Sequence, residues 1–290
     1  MSVSTRLLFA AAAVFAWNSA MALDILKLWD HSKPDVSEQR FRAALATASP
    51  DEVLILQTQI ARSYGIRRDF VRAQQILAAI EPQLASASAE ARTRYWLELG
   101  RTISSAVHPP ESQTSDAKAK ARSAFTGAFD LAEKSRLDYL AIDALHMMAF
   151  VDVAAADQLA WDLKALAYME KSDQAEAKKW EGSLRNNVGY ALHLLGRYDE
   201  ALAQFKLSLA ARERAGDSRT VRIAHWMIAW TLRSMGRVQE ALEIQLRLER
   251  EWDEAGGPDP YVFEELEHLY RALDNPAKAE FYAKRLRDSK

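Results

Sequence analysis

Gly196-Arg197-Tyr198-Asp199-Glu200-Ala201-Leu202 returns forty residues later as Gly236-Arg237-Val238-Gln239-Glu240-Ala241-Leu242. A fixed period of this size marks one supersecondary unit being stacked. Glycine suits the end of a first helix, because it takes the left-handed conformation without steric cost. Ala201 and Ala241 fall early in the following helix, where a small side chain lets two helices approach closely. Phe205 lies one turn after Ala201 on the same face and supplies bulk for the next contact. In the first helices a small residue precedes a larger one by three positions: Ala61 and Tyr64, Gly100 and Ile103, Gly189 and Leu192, Ala229 and Leu232.

Outward from the echo, the chain reads as helix throughout. Ala, Leu, Arg, Glu and Gln dominate, and no alternating β-branched run marks a strand. No proline occurs between Pro110 and Pro258, which suits long helices. Six helical pairs are expected. The first runs from Asp51 to about Leu84, opened by Ser49-Pro50 as cap and first turn. The second spans about Ser88 to Ser135, with a polar break from Val107 to Asp116. The third covers about Leu137 to Lys171, the fourth about Ala175 to Ala215, the fifth about Ser218 to Ala255. Gly256-Gly257-Pro258-Asp259-Pro260 is a stop signal, and the sixth pair follows from Tyr261 to about Arg287. Residues 23–48 carry a further helix, Asp35 to Thr47, expected to cap the stack, since terminal repeats lack one neighbour. The repeat domain is expected over residues 51–290.

Residues 1–22 read as a secretory signal peptide. Arg6 is their only charge, Leu7 to Trp17 is apolar, and Ala20-Met21-Ala22 offers small residues for cleavage after Ala22. The apolar run is too short to span a bilayer, which needs about 20 residues. Losing Arg6 takes the formal charge from −2 to −3. A near-neutral chain has no strong electrostatic attraction to nucleic acid. The absence of cysteine excludes disulfides and thiolate chemistry. The expectation is a soluble periplasmic or secreted protein held together by packing alone.

The pattern resembles the tetratricopeptide repeat family. The fourth pair carries the resemblance best: Val188-Gly189, Leu192, Gly196, Tyr198, Ala201, Phe205 and Leu209 stand at the family's signature positions. Ala241 continues it in the fifth pair and Ala279 in the sixth. Ala73 with Tyr64 continues it in the first, and Ala121 with Phe125 and Ala128 in the second. The period is nearer forty than the usual thirty-four, as in kinesin light chain-like and bacterial peptide-sensing variants. Asn186-Asn187 also looks like the light-chain variant. Glu267 departs from the pattern in the last pair, and Asp152 stands at a bulky position in the third. The resemblance implies an all-α, right-handed superhelical α-solenoid of about six antiparallel pairs.

It also implies that the first helices line a concave groove. The groove-facing residues are then Asn186, Tyr190 and His193 in the fourth pair, and Trp226, Trp230 and Arg233 in the fifth. The sixth contributes Glu264, His268 and Arg271, the first two pairs Arg62 and Arg101, and the third His146 and Phe150. Trp226, Trp230 and Arg233 form one stripe on their helix, while Ile228, Ala229, Leu232 and Met235 fill its core side. Tryptophan and arginine concentrate at binding hot spots. Trp29, Trp96, Trp161, Trp180 and Trp252 read as packing residues.

Catalytic motifs are absent from the sequence: no nucleophile elbow, no phosphate-binding glycine loop, no paired-histidine metal helix. Glu264 and His268, one turn apart, read as a solvated pair and not as a metal site. No cofactor is expected. The leading expectation is a non-enzymatic scaffold that binds a protein or extended peptide in the groove. The alternative is a small-molecule or glycan-binding protein, with Trp226, Trp230 and Tyr190 stacking on rings. Homo-oligomerisation through an exposed end of the stack is compatible with both.

Overall fold

The computed structural model describes residues 23–289; the expected leader lies outside them. The described residues form helices joined by short turns, with no strand among them. A short α1 (Ile25–Leu28) and α2 (Pro34–Ala44) precede six antiparallel pairs. The pairs are α3 (Pro50–Ile66) with α4 (Phe70–Ile80), α5 (Ala89–Ile103) with α6 (Ser115–Lys134), and α7 (Asp138–Val151) with α8 (Ala155–Lys171). A four-residue α9 (Ala175–Lys178) leads into α10 (Glu181–Leu194) with α11 (Tyr198–Ala215). The last are α12 (Ser218–Ser234) with α13 (Val238–Glu254), and α14 (Pro260–Ala272) with α15 (Pro276–Asp288). The chain is an all-α solenoid, with every pair where the sequence placed it. No described helix is long and apolar enough to cross a membrane.

Local chemistry sets the helix ends. Ser49 and Glu52 close a reciprocal capping box at α3, with Glu52 Oε2 accepting from the Ser49 amide at 2.8 Å. Ser88 Oγ accepts from the Ala91 amide at 3.1 Å and caps α5. The Val107–Asp116 break folds back on the first two pairs: Gln113 Nε2 donates to the Ser105 carbonyl at 2.9 Å, and His108 stacks on Phe70 of α4 with centroids 3.9 Å apart.

Each residue of the echo has a visible task. Gly196 and Gly236 sit at φ +74° and +77°, and Arg197 and Arg237 then donate their amides to Leu192 and Leu232, both at 2.9 Å. The same arginines pair through their side chains with Glu200 and Glu240, three residues on. Ala201 and Ala241 are fully buried. The same turn recurs where the sequence lacks glycine. Arg68 takes φ 64° and Asp274 takes φ 53°, with equivalent bonds from Asp69 to Tyr64 at 3.0 Å and from Asn275 to Tyr270 at 2.9 Å. The left-handed conformation costs a residue with a Cβ about 1–2 kcal/mol, while glycine gives back part of that as chain entropy. Arg68→Gly is therefore expected to stabilise the protein by roughly 0.5–1 kcal/mol, read as a higher urea midpoint. A lower midpoint would show that the Arg68 side chain contributes more than its backbone strain costs.

Close approach of paired helices is the second framework device. A Cβ built on Gly189 would lie 2.7 Å from Phe205 Cε1, and one on Gly100 would lie 2.4 Å from Phe125 Cε1. The missing side chains are the seats of two fully buried phenyl rings. The third pair differs. Asp152 lies just beyond the end of α7, not in a core position, and accepts from Arg122 and from Trp161 Nε1. Of the tryptophans read as packing, Trp96 is 40% exposed, whereas Trp161, Trp180 and Trp252 are partly buried against the core, as is Trp29 against the first pair.

Candidate functional site

The first helices α3, α5, α7, α10, α12 and α14 touch one another through a band of polar and aromatic side chains. It divides into an ionic half and an aromatic half.

The ionic half spans the first three pairs. Arg101 on α5 donates to Glu98 at 2.5 Å and to Asp143 on α7. Arg62 on α3 lies 3.8 Å from the same two carboxylates, with its guanidinium 5.5 Å from the Trp29 ring. Glu98 and Asp143 are each 2% exposed. Burial alone would push the Asp143 carboxyl up, but Arg101 and Arg62 outweigh it and hold the group below its ordinary range. Arg62 and Arg101, expected as groove cations, are thus the positive members of a largely self-neutralised cluster. A cavity of about 170 Å³ opens beside them, walled by Met147 and Phe150.

His146 continues the band into α10. Asn187 Nδ2 lies 3.0 Å from His146 Nδ1, and the imidazole also packs on Phe150 and Trp180. Burial pushes His146 down to about 4, so the ring is neutral at neutral pH and accepts the Asn187 bond. Asp162 on α8, 2% exposed, stands nearby with its Oδ1 lacking a hydrogen-bond partner. Burial pushes its carboxyl up to about 7, opposed by Asn187. A raised folded-state pKa means that the folded protein holds this proton more tightly than the unfolded chain. Stability therefore falls as pH rises from about 4 towards 7, and the full penalty applies above that. Asp162→Asn is expected to stabilise the protein by about 2–4 kcal/mol at mildly alkaline pH and by almost nothing below about pH 4. Thermal midpoints of both proteins across that range test this; parallel curves would mean that Asp162 is solvated.

The aromatic half spans the fourth to sixth pairs. Tyr190 on α10 stacks on Trp230 of α12 at 5.8 Å, and Trp230 stacks on Trp226 at 5.8 Å. Trp226 meets Tyr261 of α14 edge-on at 6.2 Å and donates its indole N–H to the Tyr261 carbonyl at 3.1 Å. The two tyrosines at the ends are 43% and 64% exposed, and the two tryptophans between them are half-buried. Such offset stacks each hold about 0.5–1.5 kcal/mol beyond area burial, so the row is a preformed surface.

The other expected groove residues divide clearly. His193 is buried, stacked on Trp230 with centroids 3.3 Å apart and its Nδ1 3.1 Å from Thr231 Oγ1. Burial, with Arg233 adding to it, pushes it down to about 4; it supports the row from beneath. Arg233 makes a two-pronged pair with buried Glu265, at 2.8 and 2.7 Å. Arg271 pairs with Glu267 at 2.8 Å, and His268 is exposed near the end of the stack. Asn186 is half-buried, with its Oδ1 unpartnered. Among the described residues no cluster of three metal-ligating side chains occurs.

Sequence reading missed Tyr261, which closes the row from the far side of the stop signal. It also missed the counter-ions Glu98, Asp143 and Glu265. Tyr261 had a signal: it is an aromatic in the first turn of a helix directly after a proline.

Residues 180–250 match the tetratricopeptide repeat family. No curated protein matches the chain. Among solved structures, the apo form of RapI is similar with a TM-score of 0.65 at 12% identity, covering 91% of this chain and 73% of that one. A Rap protein complexed with competence and sporulation factor aligns with a TM-score of 0.46 at 13% identity, covering 91% and 94%. BtubC from P. vanneervenii aligns with a TM-score of 0.41 at 14% identity, covering 92% and 91%. At these identities the likeness to RapI concerns the fold.

Proposed function

We propose that this tetratricopeptide-repeat chain is an exported scaffold, without catalytic activity of its own, that binds an extended protein segment along the face of its first helices. The observation that carries the reading is the row Tyr190–Trp230–Trp226–Tyr261. It crosses three successive helix pairs, is rigidified by stacking, and presents its end rings to solvent. Rigid aromatic surface lets a partner bind with little side-chain ordering cost. Arg233, beside the row, is already neutralised by Glu265, so apolar side chains of the partner supply the contact along the rings. Arg233 is a support and not a contact, because its guanidinium is committed to Glu265.

A displayed library of extended peptides, selected on the purified protein, tests this. Tyr190→Ala and Tyr261→Ala remove exposed rings and leave the core untouched. Each is expected to weaken the selected peptides about tenfold or more, the loss of one aromatic hot spot. Unchanged affinities for both variants would remove the row from the binding surface. A library that yields no binder, together with saturable tryptophan quenching by envelope glycans, would assign the row to sugars instead.

A further inference from the structure

One arginine on α12 breaks the pattern of internal neutralisation. Arg222 stands over Trp252, with its guanidinium 4.1 Å from the ring centroid, and its Nε is buried without a hydrogen-bond partner. Arg219, one turn earlier, lies beside it. Among the described residues neither guanidinium forms an ion pair, in contrast to Arg101, Arg233 and Arg271. Both line a cavity of about 280 Å³ between α12, the end of α13 and the start of α14. Its remaining walls are apolar: Ile223, Trp226, Met227 and Trp252, with Tyr261 at the side. The one carboxylate on the lining, Asp259, caps α14 by accepting from the Tyr261 amide at 2.9 Å.

We propose that this cavity is a binding site for a small amphipathic carboxylate, an acid group joined to one aromatic or branched apolar body. A partly buried cation is ordinarily matched by a counter-charge; here Arg222 is half-buried with its Nε unpartnered, Arg219 adds a second, exposed cation, and the one acid on the lining is committed to its helix cap. The contact with Trp252 holds the Arg222 guanidinium at the cavity wall, where it can offer two parallel N–H bonds to a carboxylate. Trp226 and Met227 would receive the apolar body. A cavity of about 280 Å³ lies at the small end of ligand pockets, which suits one ring with a short acid arm. The site adjoins one end of the aromatic row and shares Trp226 and Tyr261 with it.

The test titrates the full protein with 3-phenylpropionate and with neutral 3-phenylpropionamide, read by tryptophan fluorescence and calorimetry. The acid is expected to bind about tenfold or more tightly than the amide, the gain of a charge-assisted two-pronged contact. Arg222→Met, which keeps apolar cover on Trp252, should abolish that preference, and Arg222→Lys should retain part of it. Equal binding of acid and amide, or acid binding untouched by Arg222→Met, would overturn the proposal. A third ligand, the N-acetylated and amidated peptide Glu-Phe-Glu, separates the sources of the carboxylate. If that peptide binds and the free acid does not, the cavity belongs to an acidic polypeptide and the small-acid site is refuted.

Discussion

Asp143→Ala is expected to lower the stability of the protein by about 3–5 kcal/mol, the cost of leaving a buried charge unmatched. Asp143 is 2% exposed and faces Arg101 across the α5–α7 boundary. Its removal leaves two guanidiniums, Arg62 and Arg101, sharing the single carboxylate Glu98. The side chain of Arg101 is only 12% exposed, so solvent compensates little. The double change Arg101→Met/Asp143→Leu should recover most of the loss. It leaves Arg62 opposite Glu98, a balanced pair, and replaces the removed ions by apolar volume. Acid titration adds a second signature. Asp143 is held below its ordinary range, so its contribution is complete above the unfolded value near 3.9 and disappears as pH falls through the lower folded value. The variant should therefore lose less stability on strong acidification than the wild type. Urea midpoints for the four corners of the cycle decide the matter. A loss below about 1 kcal/mol for Asp143→Ala would place the cluster among hydrated surface pairs.

The same cluster shows where sequence reading stops. The period, the turn glycines and the small residues were legible because each acts within its own pair, over a fixed short separation. Gly196 ends α10, Ala201 meets α10 and Phe205 fills the seat beneath Gly189, all within seventeen residues of chain. Position on the first helices was legible for the same reason, and Tyr190, Trp226 and Trp230 do lie in one row. Whether Arg101 and Arg233 are free was not legible, because each is paired with a buried carboxylate on the next pair. Arg101 is cancelled by Asp143, forty-two residues on, and Arg233 by Glu265, thirty-two residues on. An arginine at a groove position looks the same in sequence whether or not the neighbouring helix brings a carboxylate to it. His193 illustrates the converse: one of the groove-facing positions proved to be the floor beneath Trp230, since Thr231 and Ser234 of the next pair face its two ring nitrogens. The third pair misled for a different reason. α7 is apolar on nearly every side, so its pattern offered no preferred face from which to set the register.

Phe205→Ala should cost about 3–5 kcal/mol, the range for emptying a phenyl-sized volume from a packed interior. The ring is fully buried and rests on the main chain of Gly189, where a Cβ would come within 2.7 Å of it. That contact sets how closely α10 and α11 approach. The complementary change runs the other way. Gly189→Ala gains up to about 1 kcal/mol of helix propensity but forces the ring out of its seat, an overpacking cost of about 1–3 kcal/mol, so a net loss is expected. Combining Gly189→Leu with Phe205→Ala should recover part of the deficit, because the leucine fills the vacated volume. Stacked repeats touch only their neighbours, so the damage should stay local. Hydrogen exchange should accelerate in α10 and α11, less in α8 and α12, and scarcely in α3 or α15. If exchange instead rose equally along the whole chain, the six pairs would be unfolding as one unit, and the framework contacts at Gly189 and Gly100 would act on global stability and not on their own repeats.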